Sequence, residues 1–298
     1  MDMMSAAKPQ ILPLSFHPPF NVRQVTSFLK PRAIPGVEYV GEAIYSRSIA
    51  INNAQGYFAA SCPDKAPSLS LEIHFPDQDM VPFIADAVKN IFDLDAPVKK
   101  IDGHLKNDRF LGSLVAQNPG IRVPGSFNPF ELCIRAIVGQ QISVKGATTI
   151  IGRIADSYGK TLNTPNVFGL RYLFPSPEVL ADADFKGVGL TKARIATIHH
   201  LSTAVLEGQV CFNASISPAK LRKALLDIKG IGEWTAQYIL MRTIKIPDAM
   251  PCSDLGLLKA VSSDKRPAPE KQLKEMSTPW KPWRAYAAMH LWSSLADT

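Results

Sequence analysis

Cysteine is scarce and scattered in this chain. There are four, Cys62, Cys133, Cys211 and Cys252, and no CxxC pair among them. That spacing excludes a disulfide-dense secreted scaffold and points to reduced thiols in a cytoplasm. No apolar run approaches the roughly 18 residues that a membrane span needs. The N-terminal stretch MDMMSAAKPQILPL has no basic segment leading into a long apolar one, so the sequence predicts a soluble, untargeted protein. Acidic residues are the minority charge, 26 against 33 Lys plus Arg, which leaves a formal charge of +7 and the sign expected of a partner for polyanions. Hydrophobic residues at 46% and charged residues at 20% are ordinary globular proportions, and 298 residues suffice for two or three compact units.

Repeats and low-complexity linkers are also missing, so boundaries have to be read from changes in pattern. From Ser15 to about Phe92 the texture is strand-rich. VEYVGEAIYSRSIAI and GYFAASC cluster β-branched and aromatic residues, and SLSLEIHF alternates as a half-buried strand does. Asn52 to Gly56 reads as a hairpin turn, FNVRQVTSFLKPR as a short helix before the first strand, and FIADAVKNIFDL as a helix after the last. Beyond Asp95 the period becomes helical and stays so. NPFELCIRAIVGQQISVKGATTIIGRIADSYG, SPEVLADAD, TKARIATIHHLSTAVLEG and SPAKLRKALLDI all space their apolar residues by three and four. The sequence therefore predicts an α+β domain over residues 1–93 and an all-helical domain over 94–298.

The densest signal lies in LLDIKGIGEWTAQYILMRTIKIPDAMPCSDLGLLKAV, residues 225–261. Helical patterns flank Gly230-Ile231-Gly232, and the glycines permit a tight turn between two helices. Such a turn aims backbone N–H groups outward at a helix N-terminus, where an anion such as a phosphate is favoured. A plain helix-to-helix connection has the same pattern. Asp254 stands twenty residues past Trp234, ahead of another helical run, where it suits either chemistry or helix capping. Trp234 and Tyr238, one turn apart, suit a stacking pocket or a core.

Taken together these segments resemble the helix-hairpin-helix glycosylase superfamily, whose hairpin carries Gly-Ile/Val-Gly and whose aspartate follows about twenty residues on. The likeness is closest to the alkylation-repair branch, DNA-3-methyladenine glycosylase II. It extends through AIYSRSIA, FNPFELCIRAIVGQQISV, GIGEWTAQY and WKPWRAYAAMHLW, nearly the whole chain. The resemblance implies a first domain with an antiparallel sheet, like half of a TATA-binding-protein saddle, and then two helical subdomains with a cleft between them, the hairpin lying near 225–244. It assigns catalysis to Asp254 and the base pocket to Trp234, Tyr238 and Trp292. DNA contacts fall to Gln141, Gly230, Ile231, Gly232 and Thr235, and the carbonyls of Leu226, Ile228 and Ile231 would hold a monovalent cation beside a phosphate. At Gln141 the best-known member carries an apolar wedge, so this chain departs from it there.

The implied activity is monofunctional base excision from double-stranded DNA by a monomer. Strand-cutting relatives carry a lysine where Trp234 stands, because only an amine forms a Schiff base with the sugar. Relatives with an iron–sulfur cluster need closely spaced cysteines after the aspartate, and none follows Cys252. A glycosylase for other lesions, such as hypoxanthine or oxidised purines, and a DNA-binding module without turnover are the alternatives. Lys259, Lys265, Arg266, Lys271, Lys274, Lys281 and Arg284 are candidates for further phosphate contacts or for a solvated charged face. Two features read as structural: His199-His200, which point apart on a helix, and KGVGLTKAR at 186–194, a second glycine turn with no aspartate after it.

Overall fold

A computed structural model describes residues 9–63, 66–212, 216–264 and 266–295. Five antiparallel strands come first, β1 (Gln10–Leu14), β2 (Glu38–Val40), β3 (Ile44–Ile51), β4 (Ala54–Ser61) and β5 (Leu69–His74), in the spatial order β1-β5-β4-β3-β2. Helix α1 (Val22–Leu29) lies between β1 and β2. The remaining helices are α2 (Val81–Phe92), α3 (Val98–Leu105), α4 (Leu111–Gln117), α5 (Pro129–Val138), α6 (Val144–Tyr158), α7 (Pro177–Ala181), α8 (Lys192–Leu206), α9 (Pro218–Leu226), α10 (Glu233–Thr243), α11 (Leu255–Ala260), α12 (Glu270–Met276) and α13 (Arg284–Ser294). An antiparallel α+β unit followed by helices is the architecture expected from the sequence.

Local details correct the sequence reading in four places. Strand β1 precedes α1, so that helix does not come before the first strand; among the described residues QILPL is a short edge strand paired with β5 alone, which is where a proline such as Pro13 is tolerated. The run from Val37 to Ile51 is two strands, reversed at Gly41, whose N–H donates to the Ile44 carbonyl at 2.9 Å. The hairpin turn needs only Asn52 and Asn53, both left-handed at φ 49° and 65°, so Ala54 to Gly56 belong to β4. Finally, the long helical pattern after Asn128 breaks over residues 139–143, where Gln141 has a φ of 55°.

Strand β5 shows the alternation its sequence promised, Leu69, Leu71 and Ile73 buried and the intervening residues half-buried. Strand β3 is covered on both faces. One face carries Tyr45 and Ile49, which join the apolar core under α2, and between them Arg47, which pairs with Glu131 of α5 at 2.6 Å; the other face carries Ser46 and Ser48, and Ser48 Oγ donates to the Tyr172 carbonyl at 2.5 Å. Arg135, a turn along α5, pairs with Glu38 at 2.9 Å and with Glu131 at 3.1 Å. Burial opposes charge at Glu38, yet Arg135 and Arg47 hold its carboxyl down at about 2. These charges fasten α5 to the sheet, and removing one partner would strand another in the interior.

Apolar packing forms two principal cores. The first unites the sheet and α1 to α4 with α11 to α13; the second packs α5 to α10 together with Ile34 and Val37 from the segment before β2. A polar hub closes the first core across the chain. Arg122, fully buried, donates to the carbonyls of Asp93 at 2.7 Å, Pro19 at 3.1 Å and His17. Asp93 Oδ2 accepts from the Val123 N–H at 3.1 Å and the Tyr286 hydroxyl at 3.0 Å. Helix α13 is thereby tied to the first domain, and α10 is anchored in the second core, so side chains from both can meet at the junction.

Candidate active site and nucleic-acid interface

Asp254 caps α11. Its Oδ1 accepts from the Leu257 N–H at 3.0 Å, and its own N–H donates to the Pro251 carbonyl at 2.9 Å, which fixes the turn. Two indoles then reach the same carboxylate. Trp292 Nε1 donates to Oδ1 and Trp234 Nε1 to Oδ2, each at 2.9 Å. Capping and site geometry are therefore combined in one residue, its two oxygens aimed by three N–H donors. Gly256 makes room for this: a Cβ there would lie 3.0 Å from Asp254 Oδ1 and 3.3 Å from the Trp292 ring.

The rings form a wall beside the carboxylate. Trp234 stacks on Tyr238 with centroids 5.6 Å apart, and Tyr238 meets Trp292 edge-on at 6.3 Å. Tyr238 packs against the second core and Trp292 against the first. All three aromatics expected from the sequence are thus brought together with Asp254. Sequence reasoning missed Phe28 of α1, 6.4 Å from Trp292, and the cations behind the wall. Arg32 lies 3.9 Å over Phe28; Arg242 lies 5.0 Å from Phe28 and 5.3 Å from Tyr238. Arg242 also donates to the Tyr238 hydroxyl at 2.6 Å and to the carbonyls of Pro124 and Gly125 at 2.8 and 3.0 Å. Burial works against ionising the Tyr238 phenol, but the guanidiniums of Arg242 and Arg32 outweigh it and hold its pKa below the usual value.

The hairpin is built as its glycines suggested. Gly230 has a φ of 100°, and a Cβ on it would fall 2.0 Å from Thr197 Oγ1, so only glycine fits. Gly232 caps α10 in extended conformation with open space around it, leaving the first-turn N–H groups approachable. The side chain of Ile231 is buried at 4% exposure, so only its backbone can face a ligand. Thr235 is buried too, and its hydroxyl accepts from Gln140 Nε2 at 2.9 Å. Gln141 stands exposed at the tip between α5 and α6. At the carbonyls suggested for a cation, Leu226 ends α9 and the Ile228 carbonyl accepts from the Ile231 N–H at 3.0 Å.

The remaining sequence candidates scatter. Lys271 and Lys274 pair along α12 with Glu275 at 3.9 Å and Glu270 at 2.6 Å, and Arg284 is held by Asp248 at 2.6 and 2.8 Å. Lys259, Arg266 and Lys281 are exposed, while Lys265 lies outside the described residues. His199 Nε2 sits 2.9 Å from the Ala183 carbonyl, a packing contact. The second glycine turn is left-handed at Gly187 and Gly189, and Arg153 donates to its Val188 carbonyl at 3.3 Å.

Fold and site define a helix-hairpin-helix protein with an aspartate set in an aromatic pocket, joined to a five-stranded α+β domain. Residues 11–128 match the family model described as the AlkA N-terminal domain, and residues 134–285 match that of the HhH-GPD superfamily base excision DNA repair proteins. The chain belongs to the HhH-GPD superfamily of base excision DNA repair proteins. It is 33% identical to the DNA-3-methyladenine glycosylase 2 of Escherichia coli, over 94% of this chain and 95% of that one. A probable bifunctional transcriptional activator/DNA repair enzyme AlkA of Mycobacterium tuberculosis is 34% identical over 95% of this chain, which spans 57% of that longer relative. Among solved structures, the 3-methyladenine DNA-glycosylase of Archaeoglobus fulgidus has a TM-score of 0.81 at 20% identity, covering 97% of this chain and 98% of its own, a likeness of fold. Schizosaccharomyces pombe Mag1, a 3-methyladenine DNA glycosylase solved with abasic DNA, has a TM-score of 0.56 at 26% identity, over 67% of this chain and 98% of its own.

Proposed function

We propose that the protein is a monofunctional DNA glycosylase that removes alkylated purines of the 3-methyladenine and 7-methylguanine class from duplex DNA and leaves an abasic site. The observation that carries this reading is Asp254, held between the indole N–H groups of Trp234 and Trp292 at the edge of an aromatic wall. The names of the E. coli and A. fulgidus relatives support the substrate class, and the abasic DNA bound to Mag1 supports the partner.

The N-glycosidic bond of a stacked nucleotide is out of reach, so the target is flipped from the helix first. Backbone N–H groups of Gly230 and Gly232 hold a phosphate, and Gln141 enters the space the nucleotide leaves. Carbonyls of Leu226, Ile228 and Ile231 sit at and just beyond the C-terminus of α9, the negative end of a helix dipole, a fit for a monovalent cation beside that phosphate. As the base departs, positive charge grows on the sugar, and the fixed carboxylate of Asp254 stabilises it. Trp234 offers no amine, so the enzyme forms no Schiff base and no nick. The proposal is of a monomer acting in the cytoplasm, where its four cysteines stay reduced.

The test is a set of duplexes, each with one modified base, incubated with the protein and then cleaved with hot alkali at abasic sites. Release of alkylpurines without alkali-independent nicking, and with no adduct trapped by borohydride, is the expected result. No release from any duplex would leave a DNA-binding module without turnover.

One observation favours a lesion range that includes uncharged bases. Arg32 and Arg242 already occupy the faces of Phe28 and Tyr238, so those rings offer a cationic base less attraction than free rings would. Replacing Arg32 by Met should raise excision of 7-methylguanine relative to hypoxanthine, and an unchanged ratio would remove this reading.

A further inference from the structure

Gln141 was singled out as the residue that probes the DNA, but the bonds that fix the tip belong to its neighbour. Gln140 Nε2 donates to the Gly230 carbonyl and to Thr235 Oγ1, both at 2.9 Å. One amide nitrogen thereby spends its two protons on the hairpin turn and on the first helical turn after it. The Gln140 carbonyl is held from the other side by the Arg194 guanidinium near the start of α8. Each of these partners is itself immobilised. Gly230 is pressed against Thr197, whose hydroxyl donates to the Lys229 carbonyl at 3.1 Å, and Thr235 is 2% exposed.

A residue tied at side chain and backbone is followed directly by one in the left-handed region, Gln141 at φ 55°, exposed to solvent. A non-glycine residue keeps that conformation when its surroundings over-determine it. The surroundings here include Gln140 and its contacts, and the Gln140 amide is the polar link between the hairpin turn and the residue that precedes Gln141.

We propose that Gln140 is a positioning residue that locks the phosphate-holding hairpin to the probing tip, so that gripping the DNA backbone and filling the gap left by a flipped nucleotide occur as one coupled event. The inference rests on the reading of the hairpin and Gln141 as DNA contacts, and it goes beyond that reading by assigning the coupling between them to a residue that touches neither base nor phosphate.

The test compares wild type, Gln140→Met, Gln140→Glu, Gln141→Ala and the double variant Gln140→Met/Gln141→Ala. Met keeps the length without a donor, and Glu turns the donor into an acceptor facing the Gly230 carbonyl. Binding is measured to an undamaged duplex and to the same duplex with an abasic analogue, alongside the thermal midpoint of each protein. Expected is an undamaged-duplex affinity within about twofold of wild type for Gln140→Met, because its phosphate contacts are retained and no charge is added. The abasic preference should fall about tenfold for Gln140→Met and at least as far for Gln140→Glu. In the double variant the preference should be no lower than in Gln141→Ala alone, since without a probe nothing is left to position.

Multiplying losses in the double variant would overturn the coupling, as would an equal loss on both duplexes, which marks a change in the hairpin alone. If one Gln140 variant melts early, the other carries the comparison. Wild type that shows no abasic preference overturns the functional reading, and this inference with it; wild type that shows the preference while the losses multiply overturns the coupling only.

Discussion

At the scale of single residues, the site depends on how one carboxylate is aimed. Asp254 accepts from Leu257, Trp292 and Trp234, and only the two indole bonds come from outside its own helix. Asp254→Asn replaces one acceptor oxygen by a donor NH₂, which must oppose an indole N–H or the Leu257 N–H. Single-turnover excision should fall by a factor of about 100 or more, the scale of losing a preorganised electrostatic group. Binding to abasic-analogue DNA should persist, and near-normal excision would move the chemistry elsewhere. Trp292→Phe keeps an aromatic ring but removes the N–H together with the indole's second ring, so 7-methylguanine and hypoxanthine should slow by a common factor of about ten if the indole's task is to orient Asp254; unequal factors would show that it sorts bases. Asp254, Trp234, Tyr238 and Trp292 could be named from sequence because each lies in a recognisable segment. Phe28, Arg32 and Arg242 could not: α1 carries only a generic amphipathic pattern, and nothing local says that it ends beside residues from α10 and α13.

At the scale of elements, the hairpin separates two glycines that look alike in GIG. Gly230→Ala puts a Cβ 2.0 Å from Thr197 Oγ1 and asks alanine to hold a φ of 100°. The left-handed conformation alone costs about 1–2 kcal/mol, and the clash adds to it, so the thermal midpoint should drop by several degrees. Gly232→Ala meets nothing within 4 Å and has an ordinary φ of −97°, so stability should stay within about 1 kcal/mol of wild type. The new methyl group stands where a phosphate would approach, and DNA affinity should fall without loss of fold. Equal melting of the two variants would mean that the turn is not held as described. The hairpin was legible because glycine marks backbone needs directly. The tip at residues 139–143 was not, because its apolar spacing continues in phase across the break, and β1 was hidden because a five-residue edge strand with a proline has too little pattern to read.

At the scale of the whole molecule, the first core draws its side chains from both ends of the sequence, so the C-terminal helix that brings Trp292 is also part of what holds the first domain. Within α13, His290 is 1% exposed, and neither ring nitrogen has a hydrogen-bond partner among the described residues. Burial lowers its pKa from 6.5 to about 4, because the charged imidazolium would lose its hydration with nothing in return. In the folded state the proton is therefore refused over a range in which the unfolded chain accepts it. Above pH 6.5 neither state is protonated there and His290 adds no pH dependence. As pH falls from 6.5 to 4 the unfolded state gains the proton first, and stability drops, reaching a loss of roughly 3 kcal/mol once both states are charged. Glu38 acts lower: its folded pKa of about 2 lies below the ordinary 4.5, so its contribution is present above 4.5 and is lost as pH falls from 4.5 to 2. Urea unfolding across pH 7 to 3 should accordingly show a first decline that begins near 6.5, ahead of the carboxylates. His290→Leu, which fills the same apolar site without a titrating group, should flatten that first decline and leave the lower one in place. A variant that retains the full slope between pH 6.5 and 4.5 would show that the acid sensitivity of the fold comes from another group, and that the imidazole finds a partner when it charges.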